Sequence, residues 1–175
     1  STHCESSAAS DVYKETVIAV TGDLIDGSVE YLRKDLEPFI DLVAPHGTYF
    51  VTGNHEYYSG VDQWLEETNR LGMTNLINSN TVITKSNSDI ILAGITDYRA
   101  HQIKKSHNSS PELALKNISK DKTKILLAHQ PNSIYDVNKA GADLQLSGHT
   151  HGGQFWPFTY PTKLANAYLL SLIHI

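Results

Sequence analysis

Apolar, strand-like runs in this chain end again and again in short polar loops. Four such loops stand in order: Gly22-Asp23, Gly53-Asn54-His55-Glu56, Ala128-His129-Gln130 and Gly148-His149-Thr150-His151. Three directly follow an apolar run, and Ala128-His129-Gln130 closes one. The order constrains the fold, because an open α/β sheet gathers its functional groups outside the carboxyl ends of its strands. It also sets the chemistry, since Asp, Asn and His together suit divalent metals.

Between the loops, strand and helix patterns alternate. Thr16 to Val20 is β-branched and predicts a buried strand, as do Tyr49-Phe50-Val51, Lys124 to Ala128 and Leu144 to Ser147. Ser28 to Val43 carries a helical stripe that Pro38 divides. Gly60 to Leu71 and Ser133 to Ala140 predict further helices, with a short one near Pro111 to Ile118. Thr81 to Thr84 and Ile90 to Ile95 predict an antiparallel pair around Ser86-Asn87-Ser88-Asp89. The alternation predicts an α/β architecture of packed layers.

At 175 residues the chain suits one domain with one sizeable core. A formal net charge of -5 and no basic stripe argue against nucleic acid as the main partner. Cys4 stands alone, so no intrachain disulfide forms. No apolar run approaches the roughly 20 residues of a membrane span, and the chain reads as soluble.

Taken singly, each loop reads equally well as a turn, a helix cap or a packed histidine. Taken together they read as one metal site. Asp23 follows its strand at once and puts a carboxylate on the rim. Asn54 offers a neutral amide oxygen, and His129 closes its strand. In an extended segment, the spacing of His149 and His151 points both rings to one side. Mixed oxygen and imidazole ligands suit manganese, iron or zinc.

At these residues the chain resembles the calcineurin-like metallophosphoesterases. The resemblance runs from about Ile18 to Leu164 and rests on Gly22-Asp23-Leu24-Ile25-Asp26-Gly27, Gly53-Asn54-His55-Glu56 and Ser147 to Gln154. The extended matches Val51 to Gly60 and Leu127 to Pro131 look like one branch in particular, which includes transmembrane proteins with a metallophosphoesterase domain, so relatives can be membrane-anchored. The resemblance implies two mixed β-sheets packed face to face with helices outside, two divalent metals, and hydrolysis of a phosphomonoester or phosphodiester. It implies that Asp23 bridges the metals, that Asn54, His129 and His149 complete one site, and that His151 belongs to the other. It implies that His55 acts on the substrate phosphate and protonates the leaving oxygen.

The ends depart from the family. Ser1 to Lys14 holds no Asp-x-His, although Ser10-Asp11-Val12-Tyr13 looks like that block with Tyr13 in the histidine's place. Residues 1–14 and 165–175 match poorly, so the chain reads as a single domain over 1–175 that lacks the family's first strand and last strands. One tight metal site is then expected, with the second weak. Three functions follow: a phosphoesterase, a non-catalytic metal-binding or interaction module, and a dimetal amidohydrolase or peptidase. The last is disfavoured because Asp23 is the only carboxylate in the ligand set.

Overall fold

The computed structural model describes residues 16–151, 159–166 and 172–174. Ser10-Asp11-Val12-Tyr13 and Gly152-Gly153-Gln154 lie outside the described residues.

Two sheets form the centre. The first holds β1 (Ile18–Val20), β2 (Thr48–Phe50) and β3 (Met73–Asn75), all parallel. The second runs β4 (Ser79–Lys85), β5 (Ser88–Gly94), β6 (Thr123–Leu127), β7 (Leu144–Leu146) and β8 (Leu172–His174). In it β5, β6 and β7 are parallel, while β4 and β8 flank them antiparallel. The α-helices are α1 (Val29–Leu32), α2 (Asn54–Tyr58), α3 (Val61–Arg70), α4 (Pro111–Ala114), α5 (Ile134–Ala140) and α6 (Thr159–Ala165).

Period-2 alternation sorts the side chains into layers. On β2, Tyr49 faces the second sheet and Phe50 faces the helices. Between the sheets, Tyr49, Val51 and Leu76 meet Leu92 and Leu127. Outside the first sheet, Phe50 and Met73 pack on Val29, Trp64 and Leu71. Outside the second, Ile91, Ala93, Leu126 and Ala128 pack on Ala114, Leu115 and Val137. The result is four layers, helix–sheet–sheet–helix, as the sequence predicts. Among the described residues the first sheet is wholly parallel rather than mixed.

Several elements lay below the reach of local pattern. β3 is three residues long, and its apolar signal is Met73 alone. The helix α2 over Asn54–Tyr58 was not expected, whereas α3 matches the helix read from Gly60 to Leu71. No strand was expected at β8, which extends the second sheet past the His-x-His loop. Pro38 does divide the first helical stretch, leaving α1 and a 3-10 helix over Glu37–Asp41.

A charged clasp ties α3 to the segment before β2. The Glu67 carboxylate accepts from Arg70 at 2.7 and 2.9 Å and from Arg33 at 3.0 and 3.1 Å. Arg70 also reaches Glu37 at 2.9 Å. The Arg70 hydrogen bond, with Arg33 adding to it, holds the Glu67 carboxyl below its usual range. A depressed carboxylate stabilises the fold above its unfolded pKa, near 4.3, and loses that contribution as pH falls through the folded value. Glu67→Ala should therefore cost about 1–2 kcal/mol in urea unfolding at pH 7. The gap between the two proteins should narrow below about pH 4.

Candidate metal centre

The carboxyl ends of β1, β2, β6 and β7 meet at one rim. Gly22 sits at φ 87°, and a Cβ there would stand 2.7 Å from Gly53 Cα and 2.9 Å from His129 Nδ1. A Cβ on Gly53 would stand 2.5 Å from the Asp23 backbone nitrogen. Only glycine lets the two loops touch backbone to backbone.

Glu56 then locks them. Its carboxylate accepts from the backbone N–H of Gly53 at 2.7 Å, Leu24 at 2.8 Å and Asp23 at 3.0 Å. The side chain is 1% exposed. Burial pushes its carboxyl up, against the pull of the three donors. The sequence reading gave Glu56 no role beyond a helix cap. A glutamate three residues into a helix, facing back to its start, was the available signal. Glu56→Gln puts an amide NH₂ toward N–H donors that need an acceptor. We expect it to cost about 2–3 kcal/mol in unfolding free energy, and to weaken metal binding by about tenfold or more through the displaced Asp23 loop. Urea titration and calorimetric metal titration read the two effects.

Three ligand atoms converge on this frame. One ligand atom each from Asp23, His129 and His149 lies within 4.8 Å of the others. Asp23 Oδ2 is 3.0 Å from His129 Nε2, which is 3.1 Å from His149 Nδ1. Asp23 Oδ1 accepts from the His55 backbone N–H at 2.9 Å. His129 is 1% exposed, and its Nδ1–H donates to the Thr21 carbonyl at 2.8 Å. A carbonyl only accepts, so this bond fixes the proton on Nδ1 and leaves the Nε2 lone pair facing the carboxylate and His149. Acceptors that face one another at this range need a cation or a proton between them.

The titration behaviour reflects the same crowding. Burial works to raise the Asp23 carboxyl, but the hydrogen bond and charge of His129 outweigh it and hold it down. Burial works to lower the His129 imidazole, and Asp23 outweighs that and holds it up. Burial, then the charge of His129, lowers the His149 imidazole.

The neighbouring residues fit a cation. Asn54 begins α2, and its Oδ1 is buried without a hydrogen-bond partner. Its neighbour His55 donates its N–H to Asp23, so this orphan amide oxygen is a candidate to join the carboxylate and two imidazoles in an N/O donor set of the kind that holds Mn, Fe or Zn. Asn54 also lines a small cavity with Asp97 and Arg99.

The other two site residues stand apart from this cluster. His55 is half-buried; its Nδ1 lies 3.0 Å from Asp26 Oδ1, and its ring meets Tyr58 edge-on at 5.7 Å. His151 is exposed and outside the ligand cluster. The loop is not extended: His149 and His151 both take positive φ, 69° and 49°. Gly148 N–H donates to the His129 carbonyl, and Thr150 N–H folds back to Gly148. Those bonds curl the segment, so the extended geometry expected of His149 to His151 does not hold.

Asp97 also escaped the sequence reading. It is buried; its Oδ2 accepts from Gln130 at 2.8 Å and its Oδ1 from the Arg99 N–H at 2.9 Å. It thereby ties the loop after β5 to the residue next to His129. No local pattern signals a bond across 33 positions.

With this geometry in hand, the comparisons with known proteins are specific. The profile of the calcineurin-like phosphoesterases matches residues 6–153. The chain belongs to the calcineurin-like phosphoesterase family. An uncharacterized metallophosphoesterase of Helicobacter pylori (strain ATCC 700392 / 26695) is 40% identical over 159 residues, which are 89% of this chain and 41% of that protein. The putative metallophosphoesterase F40B5.2 of Caenorhabditis elegans is 41% identical over 164 residues, 89% of this chain and 34% of that protein. The Bos taurus transmembrane protein with metallophosphoesterase domain is 37% identical over 169 residues, 91% of this chain and 38% of that protein. The chain thus spans well under half the length of these relatives. In fold, this calcineurin-like domain is similar to the phosphoesterase YfkN of Bacillus subtilis, at TM-score 0.56 and 19% identity, over 86% of this chain and 62% of that one. No helix among the described residues is long and apolar enough to cross a membrane.

Proposed function

We propose that this domain is a metal-dependent phosphoesterase whose tight cation site is Asp23, His129 and His149, with Asn54 as a neutral fourth donor. The observation that carries the reading is the convergence of those three ligand atoms within 4.8 Å; the buried, unpartnered oxygen of Asn54 supports it. A divalent cation held there supplies Lewis-acid polarisation of a phosphoryl oxygen and activation of water.

The chain's own residues do the rest. The Thr21 carbonyl keeps the proton on His129 Nδ1, so Nε2 stays free to ligate. The three N–H groups held by Glu56 fix the Asp23 loop. His55, on the open rim, holds a proton for the leaving oxygen, with Asp26 orienting its ring. His151, exposed on the same loop as His149, is the residue left for a second, weaker cation.

One observation favours a second reading. His151 stands outside the cluster, as it would in a protein that holds one cation and turns nothing over. Turnover of an aryl phosphodiester with manganese, together with metal stoichiometry, separates the two. The phosphoesterase reading expects metal-dependent turnover and near one tight equivalent. Tight metal without turnover favours a binding module, and two tight equivalents refute the one-site assignment.

A further inference from the structure

A cavity of about 300 Å³ lies between the loop after β5 and the segment that follows His129. Tyr98, His101, Asn108 and Ser109 line it from the loop after β5, and Ser133 and Asp136 from the segment after β6. The Asp97–Gln130 bond pins those two segments together. Ser133 is four residues past His129, a span of at most about 14 Å when extended. Its N–H folds back on the Gln130 carbonyl at 3.1 Å, which shortens that reach.

Ser133 is 2% exposed, and its Oγ has no hydrogen-bond partner. A buried hydroxyl left unpaired costs stability, so it marks a place that another molecule completes. The cavity around it offers a carboxylate, an amide, two hydroxyls and an imidazole beside the exposed ring of Tyr98. Asp136, which pairs with the exposed Lys139 only at 3.7 Å, still sets a carboxylate in the lining and suits a phosphate poorly. Pro111 and the Tyr98 ring give the cavity apolar wall, but the polar groups between them do not suit a plain alkyl chain. A hydroxyl-rich neutral group suits both features: each OH donates and accepts, and a C–H face packs on the aromatic ring.

We propose that this cavity receives the leaving group of the substrate, and that the preferred substrate is a phosphoric ester of a sugar or polyol. The proposal rests on the phosphoesterase reading above. Tyr98 and Asp136 set selectivity, and Ser133 supplies the buried hydrogen bond.

The test compares a glycerol phosphodiester, a hexose phosphodiester and bis(4-nitrophenyl) phosphate on the manganese-loaded chain, wild type against Ser133→Ala and Asp136→Asn. Ser133→Ala removes an orphan hydroxyl, so thermal stability should hold or rise. Each variant should lower kcat/KM for the preferred hydroxylated ester by about tenfold relative to the aryl ester, which makes no hydrogen bond there. The glycerol and hexose arms show whether the group is a short polyol or a ring sugar. Amide NMR titration with free glycerol and methyl glucoside reads the cavity without turnover. Saturable shifts at Ser109 and Ser133, lost in Asp136→Asn, support the cavity as a sugar or polyol site; if no ester is hydrolysed, the phosphoesterase reading fails and the leaving-group assignment with it. Turnover with no shifts and no change in ester preference overturns the proposal.

Discussion

Asp23→Asn removes tight divalent-metal binding and lowers metal-dependent phosphodiester turnover by about 10³-fold or more. The substitution is nearly isosteric, and Asn tolerates the left-handed backbone that Asp23 adopts at φ 54°. The amide oxygen can keep the bond from the His55 N–H. Its NH₂ then faces His129 Nε2, where Asp23 Oδ2 stood at 3.0 Å, and donates to the lone pair that the ligand set needs. The fold therefore survives while the only anionic member of the cluster is lost. Calorimetric metal titration should show the tight equivalent gone, and circular dichroism should show native secondary structure. Wild-type turnover in Asp23→Asn would falsify the assignment of this cluster as the centre of the reaction.

His55→Ala lowers turnover by about 10²–10⁴-fold and leaves metal affinity intact. His55 stands outside the ligand cluster, and its side chain is 38% exposed, so its loss opens no cavity in the core. Stability should stay within about 0.5 kcal/mol of wild type. The Asp26 carboxylate holds Nδ1 at 3.0 Å and leaves the far ring nitrogen toward solvent and substrate. A proton donor matters most where the departing oxygen is basic. The loss should then be larger for an alkyl ester than for a nitrophenyl ester, whose leaving group departs without protonation. Equal losses on both esters would assign His55 to phosphate binding instead of proton transfer. A parallel loss of metal would make it a ligand.

Much of the fold was legible in the sequence because its signals are short. Lys124 to Ala128 became a strand whose side chains alternate between two packed faces, and Thr16 to Val20 became β1, with Ala19 exposed rather than buried as expected. Pro38 split a helical stripe through a constraint local to one residue. The hairpin of β4 and β5 turns at Ser86 and Asn87, both at positive φ, within the polar cluster that predicted a turn. What local pattern missed is held by distant partners. The three residues of β3 are strand because Thr48 to Phe50 lie beside them. The conformation of the His149–His151 loop is set by the His129 carbonyl, which takes the Gly148 N–H.

The candidate site divides in the same way. Residue type and position relative to strand ends nominated Asp23, Asn54, His129 and His149 as candidates, because metal affinity depends on donor chemistry and rim placement is a property of the strand. Tertiary structure alone decided which of them meet. The Thr21 carbonyl that orients His129 is 108 positions away, and the Glu56 carboxylate spans 32 and 33 positions to hold the Asp23 loop. Such bonds depend on where the packed layers bring two loops, and hydrophobic periodicity says nothing of that. The ordered loops named the chemistry. The close approach of Gly22 to Gly53 and the curl at Gly148 brought Asp23, His129 and His149 into one cluster and left His151 at the surface.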